Sequence, residues 1–179
     1  DALAATGKYE ESVALYQSSL KLKETDVAHR RLGIAYYKRG QQLKDDLMTR
    51  WEPNQNQVRT TWNEAIQTVR TARGTFRRVN RNHPPLVAAL QQQANLRSEA
   101  QGILKKSYDP AESEFKAVLK LAPNNKDFEA AGHIALCAGV RGGYNARQTM
   151  QKFLSQYVPM YDLERSLYEF CKTELARTK

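Results

Sequence analysis

Three histidines, two cysteines and a set of arginines are the side chains of this sequence with the most chemistry to offer. His29, His83 and His133 stand on separate stretches, without the His-Glu-x-x-His spacing that turns two imidazoles onto one helical face for zinc. Cys137 and Cys171 form no paired motif either. Serines and threonines form no nucleophile motif with a histidine as base, and Gly139, Gly142 and Gly143 lack the Lys-Ser/Thr that follows a phosphate-cradling loop. The chain therefore reads as a non-enzyme, with no catalytic residue, metal site or cofactor expected. The arginines offer more. On a helix covering 57–81, Arg59, Arg70, Arg73, Arg77, Arg78 and Arg81 would project within about 140° of one another at roughly 100° per residue. Such a stripe of planar guanidinium forks suits an acidic protein segment, a nucleic-acid backbone or anionic lipid, and is also what a plain solvated helix face looks like. The same helix would turn Trp62 and Phe76 inward, leaving none of the exposed aromatics that base stacking needs.

Bulk properties frame these residues without assigning them a task. A chain of 179 residues that is 41% hydrophobic and 9% aromatic can bury a core. Twenty-eight Lys and Arg against nineteen Asp and Glu leave a net charge of +9, which favours an acidic partner or surface at long range. The longest apolar run, 130–140, falls well short of the roughly 18 residues a membrane span needs, so no span is expected in this segment. The two cysteines read as isolated buried thiols or as one bridge tying down the last helix, and they leave cytoplasm and periplasm both open. Ala2, Leu3, Ala4 and Ala5 before Gly7 read as the tail of a helix, so the sequence is expected to be a fragment of a longer chain. With its start missing, such a fold would leave Tyr9 and Tyr16 incompletely covered and could self-associate.

A repeat fixes the elements that must carry these residues. Tyr9, Ser12, Tyr16 and Ser19, followed by Leu20-Lys21-Leu22, return 99 residues later as Tyr108, Ala111, Phe115 and Val118, followed by Leu119-Lys120-Leu121. Spacings of three, four and three place small and aromatic residues on one stripe of a helix. Around these copies the sequence predicts helical hairpins at about 1–22, 26–81, 85–121 and 126–157, and an amphipathic capping helix at 161–177. Asp26 is expected to cap a helix reaching about residue 50, where Glu52-Pro53-Asn54-Gln55-Asn56 breaks it. Trp62, Ala65, Val69, Ala72, Phe76 and Val79 then predict a second long helix by their alternating spacing. Gly40 and Gly74 each read either as helix interior or as a turn.

With Leu32-Gly33 and Tyr36 three residues beyond, the sequence resembles the first helix of a tetratricopeptide repeat, and the 99-residue offset is close to three units of about 34 residues. The resemblance implies an all-α fold: antiparallel hairpins stacked as a right-handed solenoid in one domain over 1–179, with unusually long central helices. It further implies a scaffold that binds an extended or helical segment of another protein within a larger assembly. The residues it places in a concave groove are Arg30, Ile34, Tyr37 and Lys38 from one first helix and Glu129, His133, Leu136 and Cys137 from another, unless these pack inward and close the groove. Ile34 and His133 stand where co-chaperone members of the family hold a terminal carboxylate with Asn, which argues against a chaperone-tail receptor. The alternative function is nucleic-acid or anionic-surface binding through the arginine-rich helix face.

Overall fold

The computed structural model describes residues 7–71 and 73–177, so the expected first helix at 1–6 and Ala72 lie outside the described residues. Where one array is expected, the chain divides into two compact units: residues up to Gln41 together with those from Ile103 onward, and Gln42–Gly102. Both are predominantly helical. The elements are α1 (Tyr9–Leu22), α2 (Asp26–Glu64), β1 (Ile66–Thr71), β2 (Gly74–Val79), α3 (Pro84–Ile103), α4 (Asp109–Leu121), α5 (Phe128–Arg141), α6 (Gly143–Gln156) and α7 (Asp162–Arg177). A π-helical turn, Leu104–Tyr108, joins α3 to α4.

In the first unit, α1 buries Ser12, Val13 and Tyr16, and Gln17 Nε2 donates to Tyr36 Oη at 2.7 Å. The cap of α2 falls one residue earlier than expected. Thr25 Oγ1 accepts from the Ala28 amide at 3.1 Å, and Asp26 instead places its carboxylate in the first turn, where the helix dipole favours it. Residues 26–41 of α2 belong to the first unit. They run antiparallel to the π turn and α4, with His29 at Glu114, Gly33 at Phe115 and Gly40 at Tyr108. The two glycines sit about two turns apart on the contact face. A Cβ on Gly33 would lie 3.0 Å from the Phe115 ring, and one on Gly40 would lie 2.9 Å from the Tyr108 ring, so both aromatic rings rest directly on backbone. Gly40 is thus helix interior. The whole stripe Tyr108, Ala111, Phe115 and Val118 is buried, as its spacing implies.

The same unit continues through α5, α6 and α7, which pack on one another. Asp127 caps α5 by accepting from the Ala130 amide at 2.8 Å. Cys137 and Cys171 are free and buried, which leaves the two isolated thiols and not the bridge.

The second unit is built on the rest of α2 and on α3. Proline lacks an amide and costs roughly 3 kcal/mol inside a helix, yet α2 passes through Pro53 where a break was expected. Tertiary packing on either side of the proline offsets that cost. Leu47, Asn54 and Thr61 on α2, and Leu86, Ala89 and Leu96 on α3, are all buried. Asn54 Nδ2 donates to Ala89 O at 3.2 Å, and Arg50 forms a two-armed ion pair with Glu99. The helices run antiparallel, and the buried Asn54 amide fixes their register at some cost in stability.

Between these helices, the expected helix over 57–81 ends at Glu64 and gives way to a β-hairpin. β1 and β2 pair antiparallel, Ile66 opposite Val79, Gln67 opposite Arg78, Thr68 opposite Arg77 and Val69 opposite Phe76. Composition explains the change, because Ile66, Thr68, Val69, Thr71, Thr75 and Val79 are all β-branched and lose rotamer freedom in a helix. Gly74 takes φ 129°, which a side chain rarely adopts, so the turn falls there. The Asn80 amide closes the base of the ribbon on Ala65 O at 2.8 Å.

Candidate functional site

The residues assigned to a groove come together in the first unit, on α2, α4 and α5, mostly as packing. Tyr37 is buried, its ring edge-on to Tyr108 at 5.7 Å and to His133 at 5.4 Å between centroids. His133 stacks on Phe115 at 4.6 Å, and its Nδ1 lies 2.9 Å from Glu129 O. Burial holds the His133 imidazole below its ordinary pKa, so it is neutral near pH 7. Leu136 and Cys137 are buried as well, and burial pushes the Cys137 thiol up to about 12. Of these groove residues, Ile34, Lys38 and part of Arg30 on α2, and parts of Glu129 and His133 on α5, still reach solvent.

Arg30 is committed too. It donates to both carboxylate oxygens of Asp127, at 2.9 and 2.7 Å, and to Glu129 at 2.9 Å. The bond to Asp127 holds its guanidinium protonated even more firmly than usual, against the opposing effect of burial. Asp127, which burial alone would raise, is held below the ordinary carboxylate range by Arg30 and the Ala130 amide.

What stays open beside this cluster is a cavity of about 470 Å³ lined by Phe128, Glu129, His133, Tyr161, Leu163 and Leu167. Sequence reading finds Glu129 and His133 there but misses the aromatic and aliphatic residues of α7 and the segment before it. Val158, Met160, Tyr161 and Leu163 are each more than two-thirds exposed, and this dense apolar run ahead of an amphipathic helix is the signal that could have revealed them. Glu164 is engaged at its rim, accepting from the Met160 amide at 2.7 Å.

No family model, curated protein or solved structure matches this chain. Among the described residues, no helix is long and apolar enough to cross a membrane, and no group of His, Cys, Asp and Glu converges as metal ligands would.

The arginines meet differently from the expected stripe. Arg59 lies on α2, Arg70 in β1, Arg73 in the turn, Arg77 and Arg78 in β2, and Arg81 in the turn that follows. Alternate strand residues face opposite sides, so Arg77 and Arg78 leave β2 in opposite directions and do not form the single helical stripe expected, although both border the cleft at the base of the ribbon. Arg59, Arg73, Arg77, Arg78 and Arg81 are exposed. The expectation that Trp62 and Phe76 turn inward is also overturned: Trp62, at the end of α2, is 41% exposed, and Phe76, mid-strand, is 49% exposed. At the base of the ribbon lies a cleft of about 780 Å³ whose walls include Trp62, Gln67, Arg77, Arg78, Asn80 and Arg81.

Proposed function

We propose that the chain is a non-catalytic scaffold, related in design to tetratricopeptide arrays, that binds an apolar-anchored segment of another protein within a larger assembly. One observation carries this reading. The helix bearing Leu32, Gly33 and Tyr36 packs antiparallel on the helix bearing Tyr108, Ala111, Phe115 and Val118, with Phe115 lying on Gly33. That is the pairing expected within one repeat of this kind, here with residues 42–102 inserted between its two helices. α5 and α6 supply the following pair, and α7 serves as the cap.

The reading rests also on how the reactive groups are used. His29 Nδ1 is 2.6 Å from Glu114 and its Nε2 is 3.2 Å from Glu24, while His133 is stacked and bonded to backbone. Both thiols are buried with pKa values pushed up to about 12, so neither is a ready nucleophile. The cavity beside His133 accepts an apolar side chain from a partner segment. Its test is affinity capture with the whole chain, nuclease and high salt included, comparing wild type with Tyr161→Ala combined with Leu163→Asp. A partner that survives nuclease and salt and is lost with this double variant is the expected outcome. Partners that ignore the double variant would remove the cavity from the function.

A further inference from the structure

The geometry points to a second binding site, independent of the scaffold: the β1–β2 hairpin and the cleft at its base take a single-stranded polynucleotide. Charge is the first support. From residue 65 to residue 83 the sequence holds five arginines and no acidic residue. Among the described residues, Arg77, Arg78 and Arg81 have no ion-pair partner, although Arg30, Arg50 and Arg141 elsewhere in the chain are each bound to carboxylates. Arginine presents a planar fork that matches a phosphate, and these three, exposed and unpaired, can meet one without first breaking an ion pair.

The cleft also holds what phosphate recognition alone would not require. Trp62 opens into it, and the amides of Gln67, Asn80 and Asn82 line it. An exposed indole gives an unstacked base a platform, and amide side chains can donate to and accept from base edges. Phe76 offers a second exposed ring farther along the ribbon. The ribbon itself is under-supported. Every β2 residue except Val79 is exposed, and a lone two-stranded hairpin is marginally stable in water, so a ligand laid along it would add order as well as contacts.

Duplexes and membranes fit less well. A base in a duplex is already stacked and cannot use Trp62 without being extruded. A ribbon that entered a bilayer would lead with an apolar tip, whereas here the turn carries Arg73 and the apolar residues Ile66, Val69 and Phe76 sit at the base and middle. An acidic peptide would satisfy the arginines but would leave the indole and amides without a role.

The test uses the full chain and labelled 12-nucleotide single strands, one of RNA and one of DNA, followed by fluorescence anisotropy. Contacts from three arginines give a salt slope of about −2, so affinity should fall roughly 20-fold between 50 and 200 mM salt. Arg77→Ser, Arg78→Ser and Arg81→Ser together should weaken binding at least tenfold at low salt and flatten that slope. In a Trp51→Phe background, where Trp62 is the one tryptophan left, either strand should quench its emission. Comparison of the RNA and DNA arms separates the two sources of the same chemistry. Absent binding, an unchanged triple variant, unquenched Trp62, or equal or tighter binding to duplex, polyglutamate or phosphatidylserine vesicles would each overturn the assignment.

Discussion

Arginine does opposite work in the first unit and in the hairpin of the second. In the first, Arg30 on α2 bridges Asp127 and Glu129 at the start of α5, and Arg141 on α5 bridges Asp109 and Glu112 on α4, each tying two helices together. In the hairpin of the second unit, Arg77, Arg78 and Arg81 stand exposed beside an open cleft, with no acidic residue within the ribbon's sequence to receive them. The net charge of +9 is therefore unevenly committed. Where cations are matched by carboxylates, they set helix geometry; where they are unmatched, they remain available to a ligand. A total charge read from composition cannot distinguish the two.

Four measurements would break or sharpen this contrast. The largest effect belongs to the interlocked core: Phe115→Ala removes a fully buried ring lying on Gly33 and should cost about 3–5 kcal/mol in urea unfolding. Near-wild-type stability for that variant would mean α2 and α4 are not packed as described. In the inserted helices, Pro53→Ala restores an amide and should stabilise the second unit by roughly 1–3 kcal/mol, visible as a raised unfolding midpoint. A loss of stability instead would show that the proline is needed in its place.

The arginine comparison itself gives the next largest difference. Asp127→Ala removes both the cap of α5 and the acceptor of Arg30, and should destabilise by about 2 kcal/mol, whereas Arg77→Ala should stay within about 0.5 kcal/mol. Equal costs would erase the distinction between committed and open cations. The smallest effect is a pH dependence. Burial alone would lower the His29 pKa, but the carboxylates of Glu114 and Glu24 outweigh it and raise it above 6.5. The folded state therefore holds this proton more tightly than the unfolded chain does. Its contribution is fully present below about pH 6.5 and is lost as pH rises through the folded value. The cost of His29→Gln should accordingly shrink from about pH 5.5 toward pH 9 in midpoints measured across that range, and a cost independent of pH would mean that the pair with Glu114 is not formed.

Much of the first unit was legible because side-chain size leaves a mark in sequence. Gly33 beside Leu32 and Tyr36, and the small-aromatic stripe from Tyr108 to Val118, announce faces in close contact. Their mutual pairing was not legible, since periodicity describes a single helix and offers no means of seeing across an insertion. The hairpin was missed because Trp62, Ala65, Val69, Phe76 and Val79 keep a helical spacing by coincidence, while the β-branched residues among them carried the better signal. Pro53 misled in the opposite direction, its local cost being outweighed by packing against α3. At the candidate site, the sequence places Arg30 and Tyr37 in one groove with Glu129 and His133, but that they contact one another is seen only in the structure. The residues that complete the cavity came from a helix read only as a cap.

The contact of Gly40 with Tyr108 and Ser107 has an architectural consequence. The chain leaves the first unit and returns to it at neighbouring points, with Arg39 bonded to Ser107 and to the Lys106 carbonyl across the opening. A doorway this narrow can be closed by a short linker as readily as by a long excursion. The contacts that hold the two ends of residues 42–102 together thus lie wholly within the first unit and do not depend on how long the excursion between them is.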